Sequence, residues 1–500
     1  MSSPNAAPAN PLKVMMATPE VAPFVKIGGL ADVVGALPKS LGELGHDVRV
    51  VCPLYGDVKR MGEWSVLPGV LIVNLGYGSE YGRVWEVKLP GVKAIFYFIE
   101  HEVYFGRPEV YAGPWGDHTD NDRRFTFLSR ACIDICAFLG WKPDVIHCHD
   151  WTTGLVPVML NTSERDTYMS DVASVMTIHN LKFQGVFRHE VMRHARIPMD
   201  LFRPDSLESM GYVNMLKGGL YHSTKITTVS PTYAQEIQTP TGGCGLHWVL
   251  KYRAADLVGI LNGIDIDEWN PEADSLIPAN FGLNNFQGKE DCKRALQEEM
   301  GLKVDPNVPV FGVVARLYDQ KGLDLLASII GGLMDNMHVQ VAVLGTGNGS
   351  LEHAFSSAAG RYPGRVAAYI GFSNGLAHRI IAGSDFLVMP SRFEPCGLTQ
   401  MYSMRYGTLP VVRKTGGLAD TVKQLRESDA SGTGFLFEET SGHALYHTMG
   451  WANAIFHDHK PSFERMRRQA IDQDFSWTQS AQKYADVYRW AVEARRPSMA

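Results

Sequence analysis

Short Val- and Ile-rich runs, apolar at successive rather than alternate positions, recur through both halves of the sequence. In the first half they cover 13–18, 47–52, 144–148, 173–178 and 225–229; in the second, 308–315, 339–344, 366–370, 386–389 and 409–412. Consecutive apolar residues mark strands covered on both faces. Amphipathic stretches of helical character, such as 324–334 and 378–383, lie between most of them. Alternation of this kind builds parallel, doubly wound sheets. Five hundred residues exceed what one core sustains, so the prediction is an α/β chain with two doubly wound Rossmann-like domains facing across a cleft. The first spans 12–258 and the second 259–474, with the junction around the loop Asn262–Asp265. Residues 60–105 read as an antiparallel, β-rich insertion. In a final segment, 475–497, Tyr484, Val487, Tyr488 and Ala491 share one helical face, which predicts a docked helix. In open α/β sheets ligands bind beyond the carboxyl ends of the strands, so those loops are where chemistry is expected.

One heptapeptide occurs in both halves. Lys26-Ile27-Gly28-Gly29-Leu30-Ala31-Asp32 returns as Lys414-Thr415-Gly416-Gly417-Leu418-Ala419-Asp420. Each copy follows a β-rich run and opens a helix; the glycines admit close backbone approach and the lysine adds positive charge. Two such loops suggest an anion held between two lobes; two unrelated helix-entry turns are the alternative. A formal net charge of -6 with mixed signs speaks against nucleic acid and fits a neutral or small anionic ligand. The seven scattered cysteines indicate a reducing compartment rather than a disulfide framework. No apolar run reaches membrane-spanning length. The first dozen residues resemble a loose lead-in rather than a secretory signal, which points to a cytoplasmic protein or one stripped of a transit peptide.

Several strand ends carry chemistry. Arg316 and Lys321 leave one of them five residues apart, spaced to clamp a diphosphate by charge-assisted contacts without a metal. In Ser391–Thr399 the amides of Gly397, Leu398 and Thr399 lie at a helix start, and Glu394 is placed to accept hydrogen bonds from sugar hydroxyls. His179 ends a buried-strand pattern and is an active-site candidate. His147, Cys148 and His149 alternate faces on a strand and cannot all meet one ion. Gly345–Ser350 resembles a dinucleotide fingerprint but has Ser350 where the third glycine belongs. Asp120-Asn121-Asp122 and Asp265-Ile266-Asp267 match the Asp-x-Asp of metal-dependent transferases, yet ample cations make an ion dispensable. There is no P-loop.

With these pieces in order the chain resembles the bacterial-type glycogen and starch synthases. The resemblance runs from Lys13 to Trp490 and rests on Lys26–Leu30, His149-Asp150-Trp151, Ile178-His179-Asn180 with Gln184-Gly185, and Leu261–Asp265. It continues through Arg316-Leu317, Gln320-Lys321-Gly322, Glu394–Gly397, Lys414–Leu418 and Phe475-Ser476-Trp477. It implies the two-lobed GT-B fold, a last helix crossing back to the N-terminal lobe, an acceptor-side first domain and a nucleotide-sugar-binding second one. The implied reaction moves glucose from ADP-glucose to the non-reducing end of an α-1,4-glucan, with retention, no cofactor and no metal. Lys26, Gly28 and Gly29 would meet the donor, with Asp32, Asn262, Gly397, Leu398 and Thr399. Arg316 and Lys321 would hold the diphosphate, Glu394 the glucose hydroxyls, and His179 would lie by the anomeric carbon. Asp150 and His118 would contact acceptor or sugar. The second glutamate of the superfamily's Glu-x7-Glu pattern falls on Tyr402, and His118 stands where the family commonly has tyrosine.

No acidic residue in these motifs is an obvious nucleophile, so same-face attack is expected, with the departing phosphate taking the acceptor's proton. A non-catalytic glucan-binding relative would lose Lys26, Lys321 or Glu394, and all three are present. A phosphorylase would need a pyridoxal-phosphate lysine, and a nicotinamide enzyme an intact glycine loop. Preference for ADP-glucose over UDP-glucose, and the oligomeric state, are not encoded in these motifs.

Overall fold

The computed structural model describes residues 10–113 and 115–496, so residues 1–9 of the expected lead-in lie outside it. Two compact units emerge, Met1–Gly263 with Trp477–Ala500, and Ile264–Ser476. The division comes later than residue 258 because Leu257–Gly259 is a strand of the first sheet, with Leu257 beside Ile226. At the return crossing, Ile264 N donates to Phe475 O (2.9 Å), which ties both connecting segments into the second unit as far as Ser476.

The first unit is built on a ten-stranded sheet. Seven strands run parallel in the order Leu257–Gly259, Lys225–Thr228, Ala173–Ile178, Val145–His149, Lys13–Ala17, Asp47–Pro53, Ile95–Glu100. Val14, Met15, Met16, Ile146, Val175 and Met176 are fully buried, as sheets covered on both sides require. The antiparallel insertion is present, and its last strand also joins the parallel part of the sheet. Glu63–Val66 and Leu71–Leu75 pair antiparallel with Gly78–Lys88, which in turn pairs antiparallel with Ile95–Glu100, whose other side lies parallel to Asp47–Pro53. The run Phe96–Ile99 is buried throughout, which fits an interior strand rather than a half-exposed hairpin.

The last helix, Trp477–Arg495, belongs to this unit. Tyr484, Val487, Tyr488 and Ala491 are all buried, and the Tyr488 hydroxyl lies 2.8 Å from His147 Nδ1. Ser480 Oγ donates to Leu261 O at 2.5 Å. The second unit holds a six-stranded, wholly parallel sheet, ordered Val366–Ile370, Gln340–Gly345, Val310–Val314, Phe386–Met389, Leu409–Arg413, Phe435–Phe437. Its helices include Leu323–Asn336 and Asn374–Gly383. Apart from His118, which follows the small antiparallel hairpin of Ala112–Gly113 and Gly116–Asp117, the candidate residues lie on loops beyond the carboxyl ends of parallel strands or on the helix starts that follow.

Candidate functional site

In the first unit, the segment after strand Lys13–Ala17 folds so that Lys26, Ile27 and Gly29 stay exposed while Leu30 and Ala31 enter the core at the start of helix Gly29–Glu43. Lys26 Nζ pairs with Asp32 Oδ1 at 2.6 Å. The loop is shaped by Glu20, which the motif reading did not single out. Its Oε2 accepts the amides of Ile27 (2.6 Å) and Gly28 (3.0 Å), and its Oε1 accepts the Tyr111 hydroxyl (2.8 Å). Burial raises the Glu20 carboxyl above the ordinary range, against the pull of those donors. The spacing that carries this, a buried acid eight residues ahead of a Gly-Gly turn, has no local sequence signature.

The strands Val145–His149 and Ala173–Ile178 are neighbours in register, and their ends bring Asp150 and His179 together. Asp150 Oδ1 accepts the His179 amide at 2.8 Å. The acid therefore braces the His179 turn, which the sugar-contact reading did not foresee. Asp150 itself has a positive φ of 54°, a strained state for a non-glycine residue that such bonds must hold in place. Desolvation lifts its carboxyl to about 7, opposed by the amides of His179 and Asn180 and aided by the nearby Glu20 charge. The Lys26 loop and the His179 loop are thus electrostatically linked. Asn262, nearly buried, leaves its Oδ1 without a partner. The His118 ring nitrogen Nε2 lies 3.3 Å from Glu109 O, so that imidazole turns to its own backbone.

Behind His179 stands a histidine row. His149 Nδ1 is 2.9 Å from His179 Nε2, and His147 Nε2 is 2.5 Å from Thr177 Oγ1. Desolvation lowers His147 and His179 to about 3 and His149 well below its ordinary value, so all three are neutral at pH 7. In the unfolded chain they titrate near 6.5. Stability from keeping them neutral is therefore full above pH 6.5 and is lost as pH falls toward 3, at about 1.4 kcal/mol per pH unit for each fully buried ring. Asp150 acts oppositely, its stabilisation fading as pH rises from 3.8 through 7. Three rings outweigh one carboxyl. The melting temperature should fall steadily from pH 6.5 to 4.5 in differential scanning fluorimetry, and His147→Gln should flatten that slope; a flat wild-type profile refutes the assignment.

In the second unit, strand Val310–Val314 leads to Arg316, and strand Phe386–Met389 leads to Ser391 and Glu394. Lys321 Nζ meets Glu394 Oε2 at 2.7 Å, and Ser391 Oγ donates to the same oxygen at 2.9 Å. Glu394 is only 5% exposed, leaving little water to solvate its charge. The approach depends on Gly322, in the left-handed region at φ +63, where a Cβ would stand 2.1 Å from Pro390 O. Arg392 is held by Asp324 through two 2.7 Å bonds. Arg316 is exposed and, among the described residues, has no carboxylate partner; its nearest aromatic neighbour is Tyr318 at 5.9 Å. The helix after Glu394 is short, Thr399–Arg405, ending before Gly407. Gln400 Nε2 spans Cys396 O, Gly397 O and Thr421 Oγ1, fixing the turn that presents Gly397, Leu398 and Thr399.

The repeated heptapeptide serves two different ends. Gly28 is open, with nothing within 4 Å of a Cβ built on it. In the second copy Gly416 and Gly417 are buried. A Cβ at Gly416, whose φ is +43, would stand 2.0 Å from Glu394 O, and Gly417 N donates to that carbonyl at 3.1 Å. Lys414 is turned to Glu438 at 2.9 Å. The second copy therefore buttresses the Glu394 turn, and the expectation of two equivalent anion loops is corrected on steric grounds. Gly28→Ala should leave the urea midpoint unchanged, while Gly416→Ala should cost about 3 kcal/mol and lower activity with it.

The decoy motifs have structural duties. Glu352 Oε1 accepts the Gly347 amide (2.8 Å) and Thr346 Oγ1 (2.7 Å), so that glycine loop already holds an anion of its own. Asp120 is doubly bonded to Arg107, and Asp265 Oδ1 accepts the amides of Asp267 and Glu268. Among the described residues no three His, Cys, Asp or Glu converge as metal ligands.

Comparison with known proteins agrees across the whole chain. A model of the starch synthase catalytic domain matches residues 13–252, and one of glycosyl transferases group 1 matches 297–456. Glycogen synthase 1 of Geobacter sulfurreducens is 48% identical over 488 residues, covering 97% of each chain. The glycogen synthase of Treponema denticola is 43% identical over 489 residues, 97% of this chain and 99% of that one. The catalytic domain of Starch Synthase IV from Arabidopsis thaliana, solved bound to ADP and acarbose, is similar at a TM-score of 0.89 and 33% identity, over 97% of this chain and 100% of that one.

Proposed function

We propose that this chain, which belongs to the glycogen and starch synthase family of GT-B glycosyltransferases, moves glucose from ADP-glucose to the non-reducing end of an α-1,4-glucan, with retention and without a metal. The observation that carries this reading is the Lys321–Glu394–Ser391 cluster at the strand ends of the second unit, flanked by the unneutralised Arg316. Arg316 and Lys321 there attract a diphosphate, and Glu394, bonded through one oxygen, keeps the other for sugar hydroxyls. ADP as the nucleotide is supported by the ligand of the Arabidopsis relative.

In the proposed reaction the bond between the anomeric carbon and the diphosphate oxygen breaks while Arg316 and Lys321 take up the charge of the departing ADP. The acceptor hydroxyl attacks from the same face, its oxygen bonds to the anomeric carbon, and its proton passes to the departing phosphate oxygen. His179, neutral because desolvation lowers it to about 3, lies beside the anomeric centre without adding a positive charge there. Lys26 and the Gly28–Gly29 backbone meet the donor, and the Glu20 carboxylate positions them. Asp32 and Asn262 of the first unit and Gly397, Leu398 and Thr399 of the second are further donor contacts, and Asp150 and His118 contact acceptor or sugar. The curated relatives named above are bacterial, and no described helix is long and apolar enough to cross a membrane; we place the enzyme in the cytosol.

The test is transfer of labelled glucose from ADP-glucose, and separately UDP-glucose, into glycogen with EDTA present. Label in polymer from ADP-glucose under chelation is the expected result. Transfer from UDP-glucose alone, or loss of transfer on chelation, would overturn the donor or the metal assignment respectively. Glu20→Gln should raise the donor KM about tenfold, near 1.4 kcal/mol, with the acceptor KM unchanged; equal effects on both would show a general structural role instead.

A further inference from the structure

The strands Ala112–Gly113 and Gly116–Asp117 form a small antiparallel hairpin in the first unit. At its tip Trp115 is 99% exposed, the most exposed large apolar side chain among the described residues. Its surroundings are not loose. Tyr111 O accepts Asn121 Nδ2 (2.9 Å) and the His118 amide (3.1 Å), and buried Arg124 Nη1 donates to Val110 O (3.0 Å). The Tyr111 hydroxyl donates to Glu20, whose other oxygen takes the Ile27 and Gly28 amides. Two side chains therefore join the hairpin to the Lys26 loop. His118, at the hairpin's foot, turns its ring toward Glu109 O and packs within 3.6 Å of the Cβ position of Gly113.

We propose that Trp115 is an acceptor-binding residue, its indole face covering the apolar C–H face of a glucose unit in the α-1,4-glucan chain. This rests on the glucan-transferase reading of the same site. A large aromatic surface wholly in water on an anchored hairpin has most to gain from covering, at ~25 cal/mol per Å² of apolar area removed from water. A pyranose ring alternates apolar faces with a rim of hydroxyls, so it meets an exposed ring without stranding polar groups. The Tyr111–Glu20 link ties the base of this hairpin to the loop assigned to the donor.

Trp115→Ala, Trp115→Phe and the wild-type chain separate the outcomes. Maltoheptaose should shift the tryptophan emission of the wild type to shorter wavelength, and the shift should vanish in Trp115→Phe. Trp115→Ala should raise the maltoheptaose KM about tenfold, or 1.4 kcal/mol, with kcat and donor KM within about twofold, and Trp115→Phe should recover most of that loss. Its melting temperature should match the wild type, because the side chain buries nothing. An unchanged maltoheptaose KM in Trp115→Ala, a phenylalanine variant as poor as the alanine one, or an emission insensitive to glucan would each overturn the assignment. The titration needs no turnover, so a chain inactive with both nucleotide sugars that still gives the shift would refute the transferase reading alone.

Discussion

Replacing Lys321 by alanine is expected to lower kcat by about a thousandfold, near 4 kcal/mol of lost transition-state stabilisation, while the fold persists. Lys321 sits on a one-turn element, Asp319–Lys321, whose position is set by Gly322 against Pro390 O rather than by the lysine. Removing the ammonium therefore leaves the backbone in place. Lys321 loses its bond to Glu394, which keeps Ser391 as a partner, so the stability cost should stay near 2 kcal/mol. Circular dichroism and a urea melt check the fold, and labelled transfer checks the rate. The distinguishing feature is the split between parameters. A group that neutralises the leaving diphosphate acts as charge develops, so kcat must fall more than the donor affinity. Near-normal turnover in this variant would remove the basis for the diphosphate clamp.

Glu394→Ala should cost about a hundredfold or more in kcat/KM, from two sources that a double-mutant cycle resolves. One is the lost contact to sugar hydroxyls. The other is release of Lys321, whose ammonium is 2.7 Å from Glu394 Oε2 and would then drift from its aim. Because the two side chains act as a pair, Lys321→Ala in the Glu394→Ala background should lose much less than in the wild type. Strict additivity would show that the ion pair is incidental. Glu394→Gln keeps the shape and a hydrogen-bonding rim but gives up the charge, so it should fall between the two; equality with alanine would assign the whole effect to the charge.

Much of the fold was legible because its signals are local. Ala173–Ile178, Val366–Ile370 and Phe386–Met389 coincide with their apolar runs, since strands buried on both faces leave an unbroken apolar record. In the insertion only half of the pairing was legible, because Phe96–Ile99 has a parallel neighbour on one side and an antiparallel one on the other, and a buried apolar run reads alike beside either. Among the candidates, His179, Lys321 and Glu394 were named from strand-end position, yet the bond between the last two, separated by 73 residues, has no trace in either segment. Glu20 escaped notice entirely, as a lone acid between two apolar residues does. Asp150 was noticed as a sugar contact, while its amide-bracing role, which depends on the alignment of two strands, went unseen.

The amino-acid order by itself determined that there are two parallel sheets, where their strands end, and which residue types stand at those ends, because periodicity, apolar runs and glycine placement act over a few neighbours. Only the folded chain decided what identical words mean. Lys26–Asp32 and Lys414–Asp420 differ at one residue in seven, yet one remains an open loop and the other is wedged beneath Glu394. The difference comes from what packs against each glycine pair. That is set by distant segments brought close by the sheet, and steric exclusion at 2.0 Å is a property of the neighbour as much as of the glycine.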